Sequence, residues 1–475
     1  MNRRHFLQAM SGAALGGSVA GAAQNPPNFV FILMDDLGWA DLSCYGSRYY
    51  ETPHLDRLAR EGVRFTDAYA AAPVCSPTRA SIITGKYPAR LGITNYLPGK
   101  HPTPFSKLIG VDCVQQLALS ETSIAEALKP LGYKSASIGK WHLGNEPYFP
   151  EKQGFDVNIG GTQSGMPKSF FYPGWGKNPP IDAKPGDYLT DRLTDEAIQF
   201  IQQNQKQPFF LYLPHYAVHI PLEAKEELVQ KYRNKKPGEL QNDPIYAAMI
   251  QNMDENVGRV VNAIDQLGLG SNTHIFFTSD NGGLSALEWK LKPVTSNVPL
   301  REGKGHLYEG GIRVPLIARG PGIPRGKVIR TPVLSTDHLA TLVDLGGGTS
   351  QGTDGVSLKN LLQSGKAPAN RDLFWHYPHY SNQGGKPSSA VRRGNWKLIE
   401  FHEDQHVELY DLSKDMSEKK DLSSTQPDKA KELQQSLQVW LKSVDAKFGE
   451  PNPQYDPVRA GEGYRWNPVK QPSAD

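Results

Sequence analysis

The chain has 475 residues, 38% of them hydrophobic and 21% charged, with a formal net charge of +3. That length can bury a large core in two or more domains, and the composition is that of a globular protein rather than a disordered or fibrous one. A near-neutral balance with no block of Lys and Arg excludes a nucleic-acid arm, and only three cysteines (Cys44, Cys75 and Cys113) exclude a disulfide scaffold.

In chain order, the first element is an address. Arg3 and Arg4 precede a weakly apolar Ala/Gly-rich stretch ending in Ala20-Gly21-Ala22-Ala23. A charged start, a modest apolar middle and small terminal residues predict a signal peptide over 1–23. The arginine pair fits twin-arginine export, with a general secretory signal as the alternative. The expected destination is the periplasm or beyond. No segment has the length and apolarity for stable membrane insertion.

Four apolar runs then lead directly into reactive side chains. Residues 28–34 run into Asp35-Asp36, and 134–138 into Gly139-Lys140-Trp141-His142. Residues 208–213 lead to His215 and His219, and 274–278 to Ser279-Asp280-Asn281. Continuous apolar runs predict strands buried on both faces, hence a parallel sheet. Helical patterns at 52–61, 123–131, 191–204 and 246–267 alternate with them. The expected fold is α/β, a large doubly wound, mixed but mainly parallel sheet flanked by helices. Ligands of such sheets bind beyond the carboxyl ends of the strands.

Between the first two runs lies Val74-Cys75-Ser76-Pro77-Thr78-Arg79-Ala80-Ser81. Pro77 suits a first helical position, which places Cys75 at the positive end of a helix dipole, where anions and activated nucleophiles are favoured. The alternative is a buried structural thiol. Cys44 and Cys113 either pair or remain thiols, and thiols are favoured.

Asp35, Asp36, Asp280 and Asn281 offer only oxygen, which suits a hard cation, Ca²⁺ in preference to Mg²⁺. A thiolate is a soft ligand and a poor partner for such an ion. After Ser364 the composition shifts to Gly, Pro, Ala and Asn, which marks a junction between a main domain (24–365) and a smaller unit (366–450). Strands at 390–399 and 407–412 and a helix over 429–444 are expected in that unit, followed by an extended Pro/Gly-rich tail over 451–475. The aromatic run 374–380 either stacks on a sugar or packs between domains, the second being favoured.

These motifs resemble the formylglycine-dependent sulfatases, the arylsulfatase A-like group of the alkaline phosphatase superfamily. Cys75-Ser76-Pro77-Thr78-Arg79 with Thr84-Gly85-Lys86-Tyr87-Pro88 is similar to the sulfatase signature. Asp35-Asp36-Leu37-Gly38, Gly139-Lys140-Trp141-His142, Thr278-Ser279-Asp280-Asn281-Gly282 and Gly303-Lys304 followed by Tyr308-Glu309-Gly310-Gly311 stand around it in the same order. The likeness runs from about 27 to about 443 and includes the small C-terminal antiparallel sheet-and-helix domain.

The resemblance implies sulfate ester hydrolysis. It implies that a formylglycine-generating enzyme converts Cys75 to Cα-formylglycine (3-oxoalanine), which the export route places in the cytoplasm before export. Asp35, Asp36, Asp280 and Asn281, with an oxygen of modified Cys75, would hold one Ca²⁺. Arg79 would steady the hydrated aldehyde, and Lys140 and Lys304 would contact sulfate oxygens. His142 would take a proton from the hydrate, and His219 would sit by the leaving oxygen, with His215 ranked second. The expected substrate is a sulfated glycan or aryl sulfate. The segment 91–99 is similar to enzymes acting on sulfated glycans, which points to galactose or N-acetylgalactosamine type units. His54 and His306 depart from the pattern; both read as surface variation, with a substrate-facing role open for His306. The competing readings are a phosphonate monoesterase or phosphodiesterase of the same superfamily, and a non-catalytic glycan binder.

Overall fold

The computed structural model describes residues 26–99, 104–286 and 293–462, so the expected signal peptide lies outside the described residues. Its strands are, in chain order, β1 (Asn28–Met34), β2 (Val63–Tyr69), β3 (Lys134–Ile138), β4 (Val157–Ile159), β5 (Phe209–Pro214), β6 (Thr273–Ser279) and β7 (Arg313–Arg319). They continue with β8 (Lys327–Ile329), β9 (Val333–Leu334), β10 (Leu373–Tyr377), β11 (Ser388–Arg393), β12 (Trp396–Phe401) and β13 (Val407–Asp411).

The first nine form one sheet in the order β4-β3-β5-β1-β6-β7-β2-β8, with β9 paired to β2. β1 is central and parallel to both β5 and β6, while β7 runs antiparallel to β6 and β2. The alternation of β1 explains its seven-residue buried run. Val30 and Ile32 meet Leu193 and Ala197 of the helix Leu189–Gln203 and Met253 and Val257 of the helix Pro244–Gln266. Phe29, Phe31 and Leu33 face the opposite layer, where the helices Cys75–Thr84 and Asp337–Leu345 supply Ile82, Ile83, Leu339 and Leu342. A strand with helices on both faces must be apolar along its length, as β1 is from Phe29 to Met34.

Each predicted strand of the parallel set is found within a residue of its expected bounds. The expected helix at 123–131 is shorter: Ile124–Leu128 tightens into a 3₁₀ turn at Lys129–Leu131, where Pro130 lacks the N–H that would continue the helix. The helix after Val74 begins at Cys75, not at Pro77. N–H groups of a first turn have no intrahelical partner, so a proline is tolerated at its third residue as well as at its first.

The last four strands form an antiparallel meander, β10-β11-β12-β13, covered by the helix Pro427–Ser443. Leu433, Leu437 and Leu441 of that helix share one core with Val391 and Leu398 of the meander and with Tyr69, Val74, Tyr87 and Ile312 of the large unit. The aromatic run packs here, between the two sheets. Trp375 Nε1 donates to Ala70 O (2.8 Å), and Phe374 stacks on Trp440 with centroids 4.8 Å apart. Beyond it, Asn452 N donates to Lys107 O (3.0 Å), which ties the tail's start back to the large unit. Among the described residues no helix is long and apolar enough to cross a membrane.

Candidate functional site

Register brings the reactive residues together. Met34 lies opposite Ser279 in the β1–β6 ladder, and Leu33 opposite Pro214 in the β1–β5 ladder. The residues that follow these strands therefore emerge side by side at one sheet edge.

There Asp36 N donates to Asp280 Oδ1 (3.2 Å), and Asn281 Nδ2 donates to Asp36 Oδ1 (2.8 Å). Asp36 is in the left-handed region (φ 61°), which turns its carboxylate back toward β6. Lys140 Nζ stands 2.6 Å from Asp35 Oδ2, and Lys304 Nζ 2.8 Å from Asp36 Oδ2. Arg79 Nε donates to Asp280 Oδ2 (2.8 Å), and its Nη1 to Lys140 O (3.0 Å). All of these side chains are buried. Burial and the neighbouring Asp35 push the Asp280 carboxyl up, whereas the Lys304 ammonium and His219 pull the Asp36 carboxyl well down despite its burial.

Two oxygens of this cluster, Asp35 Oδ1 and Asn281 Oδ1, are buried and accept no hydrogen bond. Such orphaned acceptors are costly unless something positive meets them. Three carboxylates and an amide oxygen converging from adjacent strand ends fit a hard divalent cation in donor chemistry. Asp35, Asp36 and His219 also present ligand atoms within 4.8 Å of one another. An imidazole suits a hard ion less well than the oxygens do.

Cys75 is 3% exposed, and its Sγ lies 3.4 Å from His142 Nδ1. The helix start does not make it an activated thiol. Burial raises its pKa, more than offsetting the pull of Lys140 and Lys304, so the unmodified residue stays protonated and weakly nucleophilic.

His142 is fixed on every side. Its Nε2 is 2.6 Å from Leu97 O, a partner that can only accept, so Nε2 carries the hydrogen and Nδ1 presents a lone pair to residue 75. Burial and the Lys140 charge hold the imidazole well below its ordinary pKa. Ser76 Oγ donates to His142 O (3.0 Å) and accepts from Leu97 N (3.1 Å), which locks the two loops together.

His219 Nδ1 donates to Ile220 O (2.8 Å), leaving Nε2 3.0 Å from Lys304 Nζ and 3.5 Å from Asp36 Oδ2. Burial and Lys304 lower its pKa. His215 is buried, and Asp191 is the charge that bears on it. His54 packs against Gly258 of the long helix, and its backbone N–H is held by Asp254. His306 Nδ1 stands 3.3 Å from Lys304 O, beside the site and half-buried. Cys44 and Cys113 are free thiols.

Asp35, Asp36, Cys75, Arg79, Lys140, His142, His219, Asp280, Asn281 and Lys304 thus converge. Two contributors escaped the sequence. Leu97 acts through its carbonyl, which no side-chain motif reveals. Gly165 leaves room for the His142 ring, since a Cβ there would lie 2.5 Å from Cε1.

A family model described as Sulfatase matches residues 27–348. The chain belongs to the sulfatase family. It is a sulfuric ester hydrolase. A second model, described as N-sulphoglucosamine sulphohydrolase, C-terminal, matches residues 303–447 of this sulfatase. A sulfatase of Formosa agariphila is 32% identical over 90% of this chain and 91% of its own length. The N-acetylgalactosamine-6-sulfatase of Sus scrofa is 36% identical over 79% of this chain and 72% of its own. Among solved structures, Ps i-CgsB in complex with k-i-k-neocarrahexaose superposes with a TM-score of 0.75 at 29% identity, covering 93% of this chain and 97% of that one. The mixed, mainly parallel sheet with a separate antiparallel C-terminal sheet is the arrangement these relatives lead one to expect.

Proposed function

We propose that this sulfatase removes sulfate from a sulfated carbohydrate, of galactose or N-acetylgalactosamine type, using formylglycine at position 75 and one Ca²⁺. The observation that carries the mechanism is the pairing of Cys75 with a neutral His142 beside an oxygen-only cluster. A thiol there is a poor nucleophile and a poor ligand; oxidation of Cβ to an aldehyde by the formylglycine-generating enzyme, with loss of the sulfur, followed by hydration to a gem-diol, removes both defects. The carbohydrate reading is supported by the relatives, one an N-acetylgalactosamine-6-sulfatase and another solved with a neocarrahexaose bound.

Asp35, Asp36, Asp280 and Asn281 would hold the ion, with an oxygen of modified residue 75. Bound there, calcium would supply positive charge to the sulfate oxygens. The hydrated aldehyde would supply one hydroxyl as nucleophile and a second whose deprotonation frees the sulfate. Lys140 and Lys304 carry fixed positive charge to the same place, which stabilises charge where it develops. Arg79, tied to Asp280 and to Lys140 O, would steady the hydrate. His142 Nδ1 accepts the proton of the second hydroxyl, because Nε2 is already committed to Leu97 O. His219 and Lys304, in contact through Nε2 and Nζ, stand ready to return a proton to the leaving oxygen.

Production requires a formylglycine-generating enzyme as partner, and the arginine pair at the start of the chain supports export after conversion. Mass spectrometry of the Cys75 peptide from exported enzyme tests the proposal. The expected peptide has lost H₂S and gained O; an intact thiol in active, exported protein would refute it. A panel of position-defined sulfated sugars tests the substrate, and turnover confined to aryl sulfates would reject the carbohydrate reading.

A further inference from the structure

The Lys304 segment is held from outside the large unit. Lys304 N donates to Gly283 O (3.1 Å), Gly305 N to Pro73 O (2.8 Å), and Gly282 N to Gly311 O (2.9 Å). The stretch 304–311 therefore touches both the loop before Cys75 and the loop after Asp280. Further contacts come from the C-terminal unit. A Cβ on Gly385 would sit 1.8 Å from Gly305 O, so the 381–385 loop lies directly on the residue after Lys304.

Five residues beyond Lys304, Glu309 meets a buried ionic knot. Lys397 Nζ, on β12, donates to Glu309 Oε1 (2.9 Å) and to Glu418 Oε1 (2.8 Å). Glu418 Oε2 in turn accepts from Glu309 N (2.6 Å), so the glutamate is held by both side chain and backbone. From the large unit, Tyr69 OH donates to Glu309 Oε2 (2.6 Å), with Arg313 Nη1 at 3.2 Å. The side chains of Lys397, Glu309 and Glu418 are all fully buried.

Desolvating three charges gains little net stability, and well-packed apolar replacements are often neutral or better. What the knot provides is a defined place for one short segment, and that segment carries a site lysine. We infer that Lys397 is a positioning residue: acting from the C-terminal sheet through Glu309, it sets where Lys304 stands among Asp36, His219 and the sulfate. The inference rests on the proposed role of Lys304 as a sulfate contact.

The test uses the full-length, matured enzyme and a double-mutant cycle. Lys397→Met with Glu418→Gln removes one charge of each sign, and the new amide oxygen can still accept from Glu309 N. The pair should lower kcat/KM on an aryl sulfate about 10- to 100-fold, as expected for a misplaced site group. Tm should stay within about 4 °C of the parent. In a Lys304→Ala background the same pair should lower kcat/KM by less than about threefold, because coupled residues are non-additive. Equal losses in both backgrounds, no loss in either, or a loss matched by a large fall in Tm would overturn the inference. If Lys304→Ala alone leaves kcat/KM unchanged, the sulfate-contact role of Lys304 fails instead. Glu309→Gln, which removes the charge and leaves one acceptor oxygen where the carboxylate had two, is read by the same criteria if the first variant does not fold.

Discussion

A methyl group at Gly165 would stand 2.5 Å from Cε1 and 2.7 Å from Nε2 of His142. The ring would have to move, and both its bond to Leu97 O and its approach to residue 75 would move with it. Gly165→Ala should therefore lower kcat about 10- to 100-fold with little change in Tm, since displacement of the proposed base His142 rather than a lost core contact is the cause. Parallel kinetics and thermal unfolding check this; an unchanged kcat would show that the ring has room to spare. Charge gives a second expectation at this scale. Asp35, Asp36 and Asp280 face Arg79, Lys140 and Lys304, so the protein's own contribution balances. A divalent ion adds two positive charges and inorganic sulfate two negative ones, so each should favour the other. Calorimetric titration of calcium should show affinity about tenfold higher with sulfate present, with the reciprocal effect on sulfate. Identical calcium affinities with and without sulfate would reject this coupling.

The helix Pro244–Gln266 shows how a distant element supports the same edge. Its N-cap Asp243 accepts through Oδ1 from Ile245 N (2.9 Å) and Tyr246 N (3.0 Å). Tyr246 OH then donates to Asp41 Oδ2 (2.8 Å), behind the Asp35-Asp36 loop. Asp243→Ala should destabilise the protein by about 1 kcal/mol through loss of the cap. Its kcat should stay close to the parent, because the tertiary contacts of Tyr246 remain; a large fall in kcat at unchanged stability would contradict this. Elements of this kind were legible where one physical rule governed them. β1 and β5 are covered on both faces and so read as nearly unbroken apolar runs, as does β6 from Ile275 to Phe277, whereas β3 is buried with Ser135 and Ser137 among its five residues. β2 and β7 were not legible. Arg64, Thr66 and Asp67 break the apolar pattern of β2, and Pro315 argues against a central strand in β7. The structure accommodates that proline where the β2–β7 register breaks, between the pairs Phe65–Leu316 and Ala68–Val314. Asp35, Asp36, Lys140, His142, His219, Asp280 and Asn281 of the candidate site were legible because they follow strand ends, whereas Arg79 and Lys304 were singled out only by the resemblance of their motifs. Leu97 O and the space at Gly165 were not legible, since backbone carbonyls and empty volume leave no mark in residue type.

At the scale of the whole molecule, the core holds histidines that must stay uncharged. Burial alone lowers His338 to about 3 and His274 to about 4, and it lowers His215 to about 4 against a small opposing pull from Asp191. His338 lies edge-on to Phe31 of the central strand, with centroids 4.8 Å apart, so its charging would disturb the middle of the sheet. In the unfolded chain these rings take up protons near the ordinary value of about 6.5. Between that value and the folded one the unfolded state binds more protons, so stability rises with pH across the window and is lost on acidification. Each such ring contributes a slope of about 1.4 kcal/mol per pH unit within its window. Thermal stability should accordingly fall steadily from about pH 6.5 to about pH 4, and more steeply than surface carboxylates alone would produce. His338→Phe keeps an aromatic edge against Phe31 and cannot take the proton. Calorimetric scans of that variant across the same range should show a shallower fall, by the slope of one ring. Equal slopes in parent and variant would mean that His338 binds protons equally in the folded and unfolded states, placing the acid weakness elsewhere in the molecule.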